Sequence, residues 1–81
     1  MKKTDIIKKL DNLKGEEVEV ENNNEINFIP KFKYKLNKDD ILIYLDKSIL
    51  VINIKEINTY TIGACNLCLK MDKGSTICFM M

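Results

Sequence analysis

Three cysteines near the end of the chain, Cys65, Cys68 and Cys78, have a spacing that could do chemistry. Cys65 and Cys68 form a C-x-x-C pair, which is found in zinc sites and in redox-active disulfides. A zinc site requires four ligands, and the chain has no histidine and no fourth cysteine. A thioredoxin-like site requires a helix after the pair, whereas alternating residues follow it here. We therefore predict neither a metal site nor a redox site, and interpret the cysteines as small buried side chains.

The residues around the cysteines predict a closing β-hairpin. Apolar side chains alternate on both sides of a short loop, and Gly74 supplies the left-handed residue of a three-residue turn. This register places Leu67 opposite Phe79 on one face, and Cys68 opposite Cys78 on the other. At a Cβ separation of about 4.5–5.5 Å this cysteine pair could oxidise, and the sequence does not decide whether it does.

Other catalytic arrangements are missing from the sequence. General acid–base catalysis near neutral pH commonly uses histidine, and the chain has none. Ser48 and Ser75 fall in predicted turns without a base beside them, and the acidic pairs at 16–17 and 39–40 diverge on extended backbone. With three glycines, the chain also contains no phosphate-binding loop. We predict that the protein is not an enzyme and binds no cofactor.

The elements that must position these side chains form a single domain over residues 1–81. Apolar residues at helical spacing predict an amphipathic helix over about 4–14, capped by Thr4 and ended by Gly15. From that point the apolar period changes from helical to two. The rest of the chain, residues 16–81, is therefore predicted to be rich in β-strands.

Residues 26–36 alternate in the manner of one long strand. Pro30 cannot donate a ladder hydrogen bond, so we expect this strand to lie at an edge or to be bulged. The alternation places Ile26, Phe28 and Phe32 together on the apolar face. The lysines between the later aromatic residues then face solvent.

Residues 41–45 and 49–52 are apolar at every position, which is typical of strands buried on both faces. One cover must be the helix, and the other must be a second sheet layer or another subunit. Turns are predicted at 22–24 and 37–40, and residues 53–64 are interpreted as a strand end and a connection. The predicted fold is α+β: an N-terminal helix packed on a bent antiparallel sheet or small open barrel of five to six strands.

Two charged segments are the candidate binding sites. Residues 16–25 contain five acids and no base, and residues 31–38 contain four lysines and no acid. One interpretation is that they are solvated strand faces that prevent edge-to-edge aggregation. The functional interpretation is partner binding, in which charge steers the encounter and the apolar C-terminus anchors it. The candidate partner-binding residues are Glu17, Glu19, Glu21, Lys31, Lys33, Lys35, Phe79 and Met81.

The segment IIKKLDNLKGEEVEVE, residues 6–21, resembles the opening of Sm-like RNA-binding proteins. Those proteins have a helix followed by Gly-x-x-Val-x-Val on the first strand of a small barrel. The resemblance implies a helix with a small sheet, and makes an Sm- or SH3-like nucleic-acid binder the alternative function. The Asp and Asn nucleotide-binding motif of the family is missing, so no RNA-binding residue is transferred. Phe32 and Tyr34 also point away from the lysines, which removes the basic and aromatic platform for single strands.

Composition narrows the setting in which such a protein would act. The net charge of +1 gives no whole-molecule attraction to nucleic acid or membranes. The N-terminus lacks the apolar core of a signal peptide, and no apolar run reaches the ~18 residues of a membrane span, so we expect a cytoplasmic protein. Abundant isoleucine, lysine and asparagine indicate a low-GC bacterial or phage genome.

These observations together favour a small protein-binding domain. We predict that it acts stoichiometrically on a protein partner, with an inhibitor of a host defence system, carried by a phage or mobile element, as the working hypothesis. Two strands that are apolar on both faces also suggest self-association as a homo-oligomer. Binding to nucleic acid is the less favoured alternative.

Overall fold

The computed structural model describes residues 3–81 and the side chains of residues 4–81. One helix, eight strands and one 3-10 turn follow each other within this part of the chain. Their bounds are α1 (Lys3–Leu13), β1 (Val18–Asn22), β2 (Glu25–Ile29), β3 (Tyr34–Asn37), β4 (Asp40–Tyr44), β5 (Ile49–Asn53), the 3-10 turn (Ile54–Glu56), β6 (Ile57–Ile62), β7 (Asn66–Met71) and β8 (Thr76–Met80).

The strands form two antiparallel sheets that are not closed into a barrel. The larger sheet has the order β2-β1-β8-β7-β6, and the smaller one has the order β3-β4-β5. The α+β class and the N-terminal helix are therefore confirmed. The prediction of one bent sheet or small barrel of five to six strands is corrected to two separate sheets of five and three strands.

A single hydrophobic core joins the helix to the inward-facing residues of both sheets. Sixteen buried side chains contribute to it: Ile6, Leu10, Leu13, Val18, Val20, Ile29, Phe32, Ile41, Ile43, Ile52, Ile54, Ile57, Leu67, Leu69, Ile77 and Phe79. The helical members recur every three or four residues, which places them on one side of α1. The apolar period of the sequence therefore predicted the buried face of the helix correctly.

The end of the helix is fixed by backbone geometry. Gly15 has φ +80°, the left-handed conformation that commonly ends a helix. Its N–H donates to the Phe32 carbonyl at 2.9 Å, and the Phe32 N–H donates to the Glu16 carbonyl at 2.9 Å. The predicted role of Thr4 as the cap is wrong, because Lys3 and Thr4 already lie within the helix.

Polar side chains tie the helix to both sheets. The Tyr34 hydroxyl donates to Asp11 and the Tyr60 hydroxyl donates to Asp5. Lys9 is 8% exposed, and its Nζ donates to the Ala64 carbonyl at 2.9 Å. Burial, the hydrogen bond and the nearby negative charge of Asp11 raise the pKa of Tyr34 to about 12, and burial raises the pKa of Tyr60. Both phenols therefore remain protonated donors at neutral pH.

The prediction of one long strand over 26–36 is wrong. The chain leaves the larger sheet after Ile29 and enters the smaller sheet at Tyr34, because Pro30 cannot continue the ladder. The predicted edge position is confirmed for β2. Ile29 lies opposite Val18 and faces the core, so Ile26 and Phe28 face outward instead of inward. Alternation counted across the break at Pro30 gave them the wrong face.

Two further predictions for the middle of the chain need correction. The β4–β5 hairpin forms, but β5 is an edge strand, and no second sheet layer within residues 3–81 covers its outer face. Cover by another subunit stays a prediction. The segment 53–64, interpreted as a connection, contains the 3-10 turn and β6. β6 lies at the other edge of the larger sheet, and its outward positions are polar, so it lacks the apolar signal of an inner strand.

Several turns and the closing hairpin are confirmed. Asn23, Asn24 and Lys38 adopt positive φ values in the two predicted turns, and Gly74 has φ +91°. Leu67 lies opposite Phe79 in the predicted hairpin register. No helix among the described residues is long and apolar enough to cross a membrane.

Candidate functional site

The outer face of the larger sheet carries the predicted acidic residues. β1 lies between β2 and β8, and its two valines face the core while its two glutamates face outward. Glu19 lies opposite Phe28 of β2, and Glu21 lies opposite Ile26. Because directly opposed residues share a face of a sheet, each carboxylate has a large apolar neighbour. We call Glu19, Glu21, Ile26 and Phe28 the acidic face.

The acidic face combines exposed apolar side chains with carboxylates that have no ion-pair partner among the described residues. Ile26 and Phe28 are each 58% exposed, although both are large apolar residues. The one ion pair found among the described residues joins Lys55 to Asp39 at 3.2 Å, so neither Glu19 nor Glu21 has a cationic partner there. Strand rise spaces the backbone positions of Glu19 and Glu21 by about 6.8 Å along β1. A complementary surface would present basic groups at this spacing beside apolar side chains.

The outer face of the smaller sheet combines lysines with apolar residues. Lys35, Leu42 and Val51 lie opposite one another across β3, β4 and β5. Tyr44 lies opposite Ile49, and its N–H donates to the Lys33 carbonyl at 3.3 Å, which continues the same register. The surface has two rows, which run from Lys35 on β3, or from Lys33 directly before it, to a branched aliphatic residue on β5. We call Lys33, Lys35, Leu42, Tyr44, Ile49 and Val51 the lysine face.

The lysine face is also uncovered. Ile49 is 52% exposed and Val51 is 55% exposed, and the helix packs on the opposite side of the sheet. The β3 edge carries one lysine, Lys35, whereas β5 has no charged residue along its length. An uncharged edge strand next to an apolar sheet face is a favourable place for another chain to dock.

A groove of about 280 Å³ runs between β5 and the turns of the larger sheet. Leu50 and Val51 form one wall, and Met71 and Ile77 contribute to the other. Residues 3–81 contain no group of three or more His, Cys, Asp or Glu side chains that could hold a metal ion. The groove presents a mixed polar and apolar surface.

Cys68 and Cys78 form a disulfide across β7 and β8. The predicted register of the pair is confirmed, but the interpretation of these cysteines as buried is wrong. Both are half-buried on the outer face, where Cys78 lies opposite Glu21. Cys65 is exposed and carries a free thiol. The opposite face of the hairpin, with Leu67 and Leu69, belongs to the core.

The structure divides the predicted partner-binding residues into three groups. Glu17, Glu19 and Glu21 lie on or just before β1, and Lys33 and Lys35 lie on the lysine face, with Lys31 exposed in the preceding connection. Met81 is 55% exposed at the end of the chain. Phe79 is different: it is 0% exposed and packs edge-on against Phe32, with ring centroids 5.8 Å apart. We therefore remove Phe79 from the candidate surface.

The apolar half of both faces does not follow from the residue pattern. The pattern predicts Ile26 and Phe28 in the core, and predicts that a second sheet layer or another subunit covers the outward residues of β4 and β5. A usable signal was present for β5, since an apolar residue at every position requires a cover on both sides. Comparison of the chain with known protein families, curated proteins and solved structures gave no match.

Proposed function

We propose that this protein is a non-enzymatic binding module that acts stoichiometrically on a protein partner through its acidic face. The observation that carries the proposal is the pairing of Glu19 and Glu21 with the exposed Phe28 and Ile26 on one sheet face. Apolar side chains supply most of the binding energy when they are desolvated, and charges steer the encounter. The partner is therefore expected to present basic residues around an apolar patch.

The setting we propose is the bacterial cytoplasm, where we expect the Cys68–Cys78 pair to be reduced. The specific role we propose there is an inhibitor of a host defence system, carried by a phage or mobile element. Small size and a composition rich in isoleucine, lysine and asparagine support this role. Such an inhibitor acts by occupying a surface and needs no catalytic group. Binding by a preformed sheet face also avoids the entropic cost of ordering a flexible segment.

The test is affinity capture from nuclease-treated bacterial lysate with matched charge variants. We expect Glu19→Lys with Glu21→Lys to weaken capture at least about tenfold, which corresponds to ~1.4 kcal/mol. The control is Asp46→Lys with Asp72→Lys, which makes the same charge change at two exposed positions away from the acidic face. Equal capture by both variants, or loss in both, would show that the acidic face does not bind the partner.

A nucleic-acid binder is the second candidate, and one observation supports it. Tyr44 is 36% exposed and lies beside Lys33 on the lysine face, where it supplies an aromatic ring next to a basic group. Two lysines without arginine give few phosphate contacts. This function would be supported by binding to a single-stranded oligonucleotide that falls steeply with salt and is lost on changing Lys33 and Lys35 to glutamate.

A further inference from the structure

We infer that a second copy of this chain docks its lysine face on the acidic face of the first. Both faces are on one chain, on the outer sides of two different sheets. Each combines two like charges with large exposed apolar side chains, and the signs of the charges are opposite. The inference uses the same acidic face as the proposed function, but it names this chain itself as an occupant.

The charges of the two faces match in spacing as well as in sign. Glu19 and Glu21 are two residues apart on β1. Lys35 lies on β3 and Lys33 lies directly before it, where the Tyr44 N–H donates to the Lys33 carbonyl and continues the ladder. Extended backbone rises about 3.4 Å per residue, so both pairs repeat every ~6.8 Å. Stacking one strand over the other therefore brings two ammonium groups over two carboxylates at once.

The apolar residues of the two faces align when the charged residues do, because each apolar row lies one strand away from its charged row. On the lysine face, Leu42 and Tyr44 lie on the strand next to the lysines. On the acidic face, Ile26 and Phe28 lie on the strand next to the glutamates. Neighbouring strands are about 4.8 Å apart in every sheet, so aligning the charges also aligns these apolar rows. Sheets that pack face to face are separated by ~10 Å, which side chains of this size fill.

The contact joins two different surfaces, so a pair still has an unoccupied surface of each kind. These are one free lysine face, on the copy whose acidic face is occupied, and one free acidic face, on the other copy. A head-to-tail contact of this kind continues into a ring or an open chain. We expect the average mass in solution to rise with concentration past the mass of a dimer.

The test is a charge-swap experiment followed by sedimentation at low salt. All proteins carry Cys65→Ser, so that the exposed free thiol cannot cross-link copies. One variant has Lys33→Glu with Lys35→Glu, and the other has Glu19→Lys with Glu21→Lys. Each variant then has two faces of like charge and should stay monomeric at concentrations at least about tenfold above those at which the parent associates.

Mixing the two variants is the decisive step. The reversed lysine face of the first is acidic and the reversed acidic face of the second is basic, so equimolar mixing should restore association in alternating copies. In 1 M salt, where the Debye length is ~3 Å, association of the parent and of the mixture should weaken. The control is Lys8→Glu with Lys73→Glu, exposed positions on neither face, which should associate like the parent.

Several results would overturn the inference. These are a parent that stays monomeric at every concentration, a dimer that both reversals leave unchanged, or a mixture that does not regain association. Circular dichroism checks that each variant is folded, and Lys33→Gln with Lys35→Gln replaces a variant that is not. The inference and the proposed function fail separately, because a monomeric parent that still captures a partner through Glu19 and Glu21 contradicts only the inference.

Discussion

Replacing Phe79 by alanine is expected to lower the free energy of unfolding by about 3–5 kcal/mol. Phe79 is 0% exposed on β8, a strand with a neighbour on each side in the larger sheet. Its ring packs edge-on against Phe32, which itself lies where the chain crosses between the sheets. Truncation would leave a cavity under both elements. Native domains have a total free energy of unfolding of only ~5–15 kcal/mol. Urea denaturation should therefore show a large decrease in the midpoint concentration of urea.

The matched control is Met81→Ala, two residues further along the chain. Met81 is 55% exposed, so the free energy of unfolding should change by less than about 0.5 kcal/mol. The sequence suggested that both residues form an apolar anchor for a partner. Similar small effects from the two substitutions would restore that interpretation and would contradict the placement of Phe79 in the core.

Reduction of the Cys68–Cys78 disulfide is expected to have the second-largest effect. The bond joins residues separated by ten positions, and the chain-entropy relation for such a loop gives about 2–3 kcal/mol of stabilisation. The effect comes mainly from the unfolded chain, because the native hairpin already holds the two strands together. Urea denaturation with and without dithiothreitol should therefore show a lower midpoint in the reduced protein, which still folds.

Two cysteine variants serve as controls for this measurement. Cys68→Ser with Cys78→Ser should remove the effect of dithiothreitol, whereas Cys65→Ser should preserve it, because Cys65 is not part of the disulfide. A reduced protein that is as stable as the oxidised one would mean that the disulfide does not restrict the unfolded chain. Loss of the native fold on reduction would contradict the assignment of the core to the opposite face of the hairpin.

The local parts of the fold were predictable from sequence because short-range chemistry decides them. The helix follows from apolar spacing and from Gly15, whose φ of +80° lies in the left-handed region that favours glycine. The register of the closing hairpin follows from alternation and from Gly74. In each case the deciding residues lie within one element or one turn, so no knowledge of the rest of the chain is required.

The remaining parts depend on contacts between elements, which the residue pattern alone does not contain. Phe28 and Phe32 are four residues apart, and continuous alternation would place them on one face. The break after Ile29 moves the chain from one sheet to the other, and this puts Phe28 outside and Phe32 in the core. β6 was missed for a related reason, since an edge strand with polar outward positions resembles a loop.

The charged half of the candidate site was predictable and the apolar half was not. Glu19 and Glu21 alternate with core valines, so their outward direction follows from β1 alone. The neighbours of these glutamates lie on β2. Which β2 side chains point outward depends on the pairing of Ile29 with Val18. The same limit applies to the lysine face, where the apolar rows of β4 and β5 were recognised but their missing cover was not.

The most direct test of the account removes only the apolar half of the acidic face. Ile26→Thr with Phe28→Thr places β-branched residues that suit a strand at both positions and leaves every charge unchanged. Capture of the partner from nuclease-treated lysate is then measured against the parent protein. We predict that capture is lost while the free energy of unfolding changes by less than ~1 kcal/mol, since both side chains are more than half exposed. Full capture by this variant, or its failure to fold, would contradict the outward placement of Ile26 and Phe28 as a docking surface.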